Sequence, residues 1–308
     1  MIRRVLLAAA RGARRTTLTV ASALPWTAAA LLPALAHADP AAWRVAGKNG
    51  GEVAFVGSMH ALRTSDYPLP PLVDELYARA DVLVMELDLD DLDPKTEQST
   101  LVAVAMLPPG ERLANVLDAG VYGLAQRRAS ELGIDLALLD RFEPWLVAIT
   151  LLDAGLEKIG FKSGLGLERY LVAKAEKDHK EIVGLESLEK QIGIFDRLSA
   201  HDQQSLLEQT LQELDGANAT MSELAGAWRD GRLETLTDTL LADFGDFPIL
   251  YDELVTERNA AWIDPLERML GDGHRYLVVV GALHLVGNGS VIERLGARGY
   301  GVERLGER

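Results

Sequence analysis

Two histidines in this chain of 308 residues each lie three positions after a glycine, directly beyond an apolar run. The first motif is Gly57-Ser58-Met59-His60, and the second is Gly281-Ala282-Leu283-His284. An imidazole side chain can exchange a proton near neutral pH, and in its neutral form it can bind a metal ion. The repeated pattern therefore predicts a site in which His60 and His284 act together.

Two glutamates occupy comparable positions. Glu86 follows the run Val82-Leu83-Val84-Met85, and Glu186 follows Ile182-Val183-Gly184-Leu185. A carboxylate can bind a metal ion or accept a proton from water. A glutamate that follows a buried strand is also often just the first solvated residue of a loop, so both interpretations stay open for each position. We predict that Glu86 and Glu186 belong to the site, one as ligand and the other as base in an order that the sequence leaves open.

An arginine interrupts an apolar stripe near the C-terminus. The stripe has a spacing of about four residues, typical of one helix face, and consists of Leu250, Leu254, Trp262, Leu266 and Leu270. Arg258 falls on that stripe, between Leu254 and Trp262. Burying an unpaired guanidinium costs several kcal/mol. Arg258 is therefore expected either to extend to the edge of the core or to pair with an anion, such as a carboxylate or a substrate oxyanion.

The elements that must position these residues are short runs rich in valine, leucine and isoleucine. The first and last are Val53-Ala54-Phe55-Val56 and Tyr276-Leu277-Val278-Val279-Val280, and longer stretches of helical pattern separate the runs. This alternation predicts an α/β fold with a central sheet buried on both faces. In such sheets ligands bind beyond the carboxyl ends of the strands. The two histidines and two glutamates are therefore expected at one edge.

The N-terminal segment looks like a targeting signal. Residues 1–38 contain five arginines and no acidic residue, then an apolar stretch over 18–35, then Ala36-His37-Ala38. This order predicts a cleaved signal peptide, followed by one domain over residues 39–308 in the periplasm or outside the cell. The alternative is an uncleaved anchor, although Pro25 and Pro33 interrupt the apolar stretch. Arg14-Arg15 also partly resembles a twin-arginine export signal, so the export route stays open.

Composition excludes several classes of protein. The chain has 46 acidic and 31 basic residues, a formal net charge of −15, and no cysteine. Nucleic-acid binding requires a clustered basic surface, and the sequence shows none. Without cysteine the chain forms no disulfide and uses neither a thiolate nucleophile nor a thiolate metal ligand. We expect no nucleic-acid partner and no membrane span after cleavage of the signal.

The ordered set of motifs resembles the TraB/GumN family, within a wider group that includes Tiki proteins and erythromycin esterases. The resemblance covers about residues 43–305. It rests on both glycine–histidine motifs and on a further set of segments: Val82 to Leu87, Gly166-Leu167-Glu168-Arg169-Tyr170-Leu171, Gly184-Leu185-Glu186-Ser187, Glu257-Arg258-Asn259 and Gly299-Tyr300-Gly301-Val302-Glu303. The chain departs from the family pattern at Glu168, where the family usually has aspartate, and at Leu285-Val286-Gly287 after the second histidine. Neither departure removes a candidate ligand.

This resemblance implies a mixed α/β fold of two related halves, each with one glycine–histidine motif, and a helical insertion between them. The helical segment at about 188–241 is expected to be a lid, a partner surface or a cover over one face of the sheet. It implies a site containing His60, Glu86, Glu186, Arg258 and His284, with Glu168 and Asn259 as secondary candidates. Tiki proteins are similar to proteases that use manganese or cobalt, whereas erythromycin esterases use a water activated by histidine and glutamate.

We therefore expect an exported hydrolase that cleaves a peptide or other acyl bond. His60, His284, Glu86 and Glu186 would hold Mn²⁺ or Co²⁺, or else Zn²⁺, while Arg258 would stabilise an oxyanion. One alternative keeps these residues without a metal, with one histidine as a base oriented by Glu86 and the other as an acid or oxyanion donor. The other alternative is a non-catalytic binding or envelope protein.

Overall fold

The computed structural model describes residues 39–89, 94–242, 244–245 and 247–306, with the backbone alone described for 94–98. The predicted signal peptide lies outside the described residues. A six-stranded sheet forms the centre of the molecule. Its strands are β1 (Ala42–Ala46), β2 (Glu52–Ser58), β3 (Val82–Met85), β4 (Ile182–Gly184), β5 (Arg275–Gly281) and β6 (Val302–Arg304).

The order of the strands across the sheet is β4-β3-β5-β2-β1-β6. The first four are mutually parallel, whereas β1 pairs antiparallel with both β2 and β6. Leu83, Val84 and Val278 are at most 1% exposed. Parallel strands buried on both faces have nearly continuous apolar sequences, as these strands do. The mixed α/β fold is thus confirmed, and the carboxyl ends of β2, β3, β4 and β5 share one edge.

Helices cover the sheet. They are α1 (Pro71–Arg79), α2 (Pro94–Ala105), α3 (Leu113–Val116), α4 (Ala119–Glu131), α5 (Pro144–Lys158), α6 (Leu167–Asp178), α7 (Leu188–Asp196), α8 (Ala200–Glu213), α9 (Ala217–Arg229), α10 (Leu233–Ala242), α11 (Pro248–Tyr251), α12 (Glu257–Gly271) and α13 (Val291–Ala297). A π-helix over Asp252–Thr256 joins α11 to α12. Shorter 3₁₀ turns include Ser163–Leu165 and Ala282–His284.

The region at 188–241 is helical, as expected, and consists of α7, α8, α9 and most of α10. Its apolar side chains pack in two places. Trp228 belongs to the main core with the sheet, and Leu207 and Leu211 belong to a second cluster with α4 and α5. Trp228 Nε1 also donates a hydrogen bond to the Gly57 carbonyl, 2.5 Å away, at the end of β2. The described residues contain no helix with the length and apolarity needed to cross a membrane.

Candidate active site

The strand pairing brings the predicted residues together. Ser58 at the end of β2 pairs with Gly281 at the end of β5, so the two glycine–histidine motifs leave the sheet side by side. The pairing of β3 with β4 continues past both strands, because Glu186 N donates to the Glu86 carbonyl at 3.0 Å. The two glutamates therefore leave neighbouring strands at the same level.

Gly281 marks the point where three side chains converge. A Cβ atom at this position would lie 3.3 Å from Glu86 Oε1, 3.4 Å from His60 Nε2 and 3.6 Å from His284 Cδ2. Glycine thus leaves the space into which both imidazoles and one carboxylate face. The Gly281 N–H also donates to Glu86 Oε1 at 2.8 Å, which fixes that carboxylate in place.

A carboxylate contacts His60 at Nδ1, the ring nitrogen that faces away from the space at Gly281. Its Nδ1 lies 2.7 Å from Glu168 Oε1, on the first turn of α6, and Ser58 Oγ donates to the same oxygen. The His60 side chain is 63% exposed, whereas that of Glu168 is 15% exposed. The negative charge of Glu168 raises the pKa of His60 to about 9, against the opposing effect of desolvation. With Nδ1 occupied, Nε2 is the nitrogen of His60 that faces the site.

Arg258 is buried and bound on all sides. It is 5% exposed, and its five N–H groups donate to four partners. Nε and Nη2 donate to Glu186 Oε1 at 2.9 and 2.5 Å, and Nη2 also donates to Glu86 Oε2 at 2.6 Å. Nη1 donates to the Leu254 carbonyl at 2.9 Å and contacts His284 Nε2 at 3.0 Å. Of the two possibilities from the sequence, Arg258 thus pairs with carboxylates.

The two strand-end glutamates form one anionic pair around this guanidinium. The side chain of Glu86 is 11% exposed and that of Glu186 is 1% exposed. Gln191 on α7 adds a bridge, because its Nε2 donates to Glu86 Oε2 at 2.9 Å and to Glu186 Oε1 at 3.2 Å. Burial tends to raise the pKa of Glu86, but the positive charges of Arg258 and of protonated His60 outweigh it and hold that pKa below its usual range. Glu86 is therefore a weak base.

His284 is neutral and has a defined tautomer. Asn259 Nδ2 donates to the Gly289 carbonyl at 3.0 Å, which turns Asn259 Oδ1 toward His284 Nδ1 at 2.7 Å. Nδ1 must therefore carry the proton, and Nε2 accepts from Arg258. Burial lowers the pKa of His284 to about 3, more than the nearby Glu86 raises it. The ring also packs against Trp262, with ring centroids 4.5 Å apart.

The structure thus groups all seven candidate residues but distributes their contacts differently from expectation. Glu168, expected only as a secondary candidate, contacts His60 Nδ1, whereas the metal-free alternative had one of the two histidines oriented by Glu86. Arg258 has no N–H left for an oxyanion, because all five are engaged. His179, His201 and His274 are exposed.

Sequence reasoning did not identify Ser58 and Gln191. Ser58 lies inside the first motif, two residues before His60, and Gln191 lies on α7, five residues after Glu186. Neither residue type is specific for a site. The position of Ser58 at the end of β2 and that of Gln191 soon after β4 are the signals that could have suggested a role.

The donor atoms do not fit the expected metal centre as arranged. A catalytic zinc ion typically has three protein ligands and one open position. The His284 Nε2 lone pair accepts from Arg258, and Glu186 Oε1 accepts from Arg258 and Gln191. His60 Nε2 and Glu86 Oε1 then face the space at Gly281. Among the described residues, no group of three or more histidine, aspartate or glutamate side chains is placed to hold an ion.

The segment that carries His60 depends on a close backbone contact. Leu167 N donates to the Met59 carbonyl at 3.1 Å, and a Cβ on Gly166 would overlap the His60 carbonyl oxygen. We expect Gly166→Ala to lower the free energy of unfolding by about 1–3 kcal/mol, because the backbone of one segment must move. Urea denaturation followed by circular dichroism measures this change.

Gly164 provides the matched control for that variant. It lies two residues earlier, and a Cβ there would meet nothing within 4 Å. Gly164→Ala is expected to change stability by less than about 0.5 kcal/mol in either direction, as surface substitutions usually do. Equal stability of the two variants would show that the contact between Gly166 and His60 does not constrain this segment.

Comparison with known proteins gives a consistent family assignment. The model of the TraB/PrgY/gumN family matches residues 41–304. The uncharacterized protein YbaP is 29% identical over 241 residues in both Escherichia coli and Shigella flexneri, covering 78% of this chain and 86% of each relative. An uncharacterized protein of Treponema pallidum is 25% identical over 280 residues, covering 85% and 82%. No solved structure matches this chain.

Proposed function

This chain belongs to the TraB/PrgY/gumN family, and from its candidate site we propose that it is a hydrolase of acyl bonds in which His60 activates water. The pair formed by His60 and Glu168 is the observation that carries the proposal. A carboxylate bound to Nδ1 orients the imidazole and stabilises its protonated form, while Nε2 faces the site.

The reaction would use His60 twice. In its neutral form, His60 Nε2 takes a proton from a water molecule that attacks the carbonyl carbon of the substrate. The resulting imidazolium, stabilised by Glu168, then gives that proton to the leaving nitrogen or oxygen atom. Glu86 is a poorer base, because its pKa lies below its usual range.

Arg258 and His284 would not contact the reacting atoms but would fix the positions and the net charge of the side chains around them. Arg258 neutralises much of the charge of Glu86 and Glu186 and accounts for the fixed positions of both carboxylates. His284, held neutral by burial, accepts from Arg258 and limits where its guanidinium can lie. These two are positioning residues in this proposal.

The proposed substrate is a peptide, ester or other acyl compound, met after export of the chain to the periplasm or beyond the cell. A divalent metal ion stays a prediction from the resemblance, and no step here uses it. A non-catalytic binding or envelope role is the alternative, and the contact between His60 and Glu168 supports the hydrolase over it.

The proposal is tested by assaying residues 39–308 with p-nitrophenyl butanoate and a quenched fluorescent peptide library between pH 6 and 10. We expect kcat/KM to rise with pH and to level off above about 9, because the neutral form of His60 becomes dominant there. Incubation with a chelator, followed by elemental analysis, should leave this profile unchanged.

Three results would contradict the proposal in different ways. Absence of hydrolysis for both substrate types would reject the hydrolase. Loss of activity on chelation with recovery on adding Mn²⁺ or Co²⁺ would support the metal centre instead. A profile with no dependence on pH above 7 would remove His60 as the base.

A further inference from the structure

A small pocket opens beside the candidate site. Its apolar lining comes from the end of β3 and the residues after it, and from the neighbouring β5, through Met85, Leu87, Leu89 and Val279. Each of these four residues is at most 6% exposed. His60 and Arg169 are among the polar residues that line the rest of the pocket. The pocket therefore has an apolar part and a polar part, and the polar part belongs to the candidate site.

The position of the pocket suggests a use. Protein interiors are close-packed and leave few voids larger than a water molecule. Sites for small molecules are concave, mostly apolar and supplied with a few polar groups that fix orientation. His60 lines this pocket and carries the proposed base, so a group bound there would lie next to the reacting atoms.

The size of the pocket limits what it can hold. Its volume is about 40 Å³, whereas the engineered apolar cavity that admits benzene measures about 150 Å³. An aromatic ring or a long alkyl chain therefore does not fit without movement of the lining residues. About 10–15 Å³ of such space holds one water molecule, which is roughly the size of a methylene group, so a chain of about three or four carbons does fit.

Resting on the proposed hydrolase function, we propose that this acyl pocket, lined by Met85, Leu87, Leu89 and Val279, binds the short aliphatic acyl group of the substrate. The carbonyl carbon then lies at the polar end of the pocket, beside His60. The preferred substrates are esters or amides of short aliphatic acids, including peptides with a small aliphatic residue before the cleaved bond.

Hydrolysis of p-nitrophenyl acetate, butanoate and octanoate tests this specificity. Wild-type protein should show a kcat/KM for butanoate at least about tenfold above that for octanoate. Leu89→Ala enlarges the pocket and should lower this ratio by about tenfold, whereas Leu89→Phe fills it and should reduce hydrolysis of butanoate by about tenfold. Leu138→Ala makes the same change at a leucine that is 74% exposed and does not line the pocket, so it is the matched control, with ratios close to those of wild type.

Binding of unreactive ketones gives a second readout that does not need hydrolysis or a variant. The short ketone 2-pentanone should shift the amide resonances of residues 85–89 in wild-type protein and should bind more tightly than 2-nonanone. Non-specific hydrophobic binding would favour the longer ketone, so the order of affinities separates the two explanations.

The outcomes distinguish the acyl pocket from the hydrolase. Hydrolysis with the same chain-length preference in wild type, Leu89→Ala and Leu89→Phe overturns the acyl pocket and leaves the hydrolase in place. Tighter binding of 2-nonanone overturns the acyl pocket even if the Leu89 variants do not fold. Absence of hydrolysis together with preferential binding of 2-pentanone supports the acyl pocket and rejects the hydrolase.

Discussion

Replacing Arg258 with methionine is expected to lower the free energy of unfolding by about 3–5 kcal/mol at pH 7, because two buried carboxylates lose their counter-ion. Methionine keeps much of the aliphatic length that packs near Trp262, whose ring centroid lies 4.9 Å from the guanidinium carbon. The side chains of Glu86 and Glu186 are 11% and 1% exposed. Glu186 Oε2 is buried with no hydrogen-bond partner among the described residues, so Glu186 depends on the contacts of Oε1.

The loss should depend on pH in a specific direction. In the wild type the folded-state pKa of Glu86 is lowered, so its contribution to stability is present above the unfolded-state pKa, near 4.5, and is lost as pH falls below it. Without Arg258, burial would instead raise the pKa of this carboxyl, and protonation would relieve the uncompensated charge. The difference between wild type and Arg258→Met should therefore shrink between pH 7 and pH 5 in urea denaturation.

An exposed ion pair provides the control for this prediction. Arg197 Nη2 lies 3.1 Å from Glu253 Oε2, and its side chain is 57% exposed. Arg197→Met should cost less than about 1 kcal/mol. The triple variant Arg258→Met, Glu86→Gln, Glu186→Gln should recover part of the stability lost in Arg258→Met. Equal losses in Arg258→Met and Arg197→Met would show that the buried carboxylates do not need this counter-ion.

The four parallel strands were predictable because burial on both faces leaves a simple signal. The run Val82 to Met85 coincides with β3, and the other three predicted runs differ from β2, β4 and β5 by at most two residues at either end. The two antiparallel strands were not identified. In β1 and β6 polar residues interrupt the apolar pattern, since Arg44 Nη2 and Glu303 Oε2 form an ion pair across them at 2.5 Å. Such half-polar strands resemble loops in sequence.

The composition of the candidate site followed from the strand ends, but its hydrogen bonds did not. Glycine–histidine motifs and strand-end glutamates identify an edge, because a parallel sheet must bring these ends together. Which carboxylate contacts His60 depends on how the first turn of α6 docks against the Met59 carbonyl, an interaction between distant segments. The engagement of all five N–H groups of Arg258 likewise depends on β3, β4 and the π-helix at once.

Replacing His60 with glutamine is expected to reduce kcat/KM for p-nitrophenyl butanoate about 10³-fold, within the range for loss of a general base. Glutamine has a polar end of similar reach but cannot accept the proton of water. The His60 side chain is 63% exposed, so the fold should persist with little change in stability. The assay is run at pH 9.5, where the wild type has its base in the neutral form.

Glu168→Gln separates the base from the group that orients it. Without the negative charge of Glu168, the pKa of His60 should fall from about 9 toward its ordinary value near 6.5. The rise of kcat/KM with pH should therefore occur at a lower pH than in the wild type. The plateau of kcat/KM should also fall, because the imidazolium loses its stabilising partner. A proton NMR titration of the His60 ring reports the same pKa without any substrate. Glu176→Gln, an exposed position on the same helix, is the control and should leave both readouts unchanged. An unmoved His60 titration in Glu168→Gln would mean that this carboxylate does not set the proton affinity of the base, and the proposed chemistry would lose its central contact.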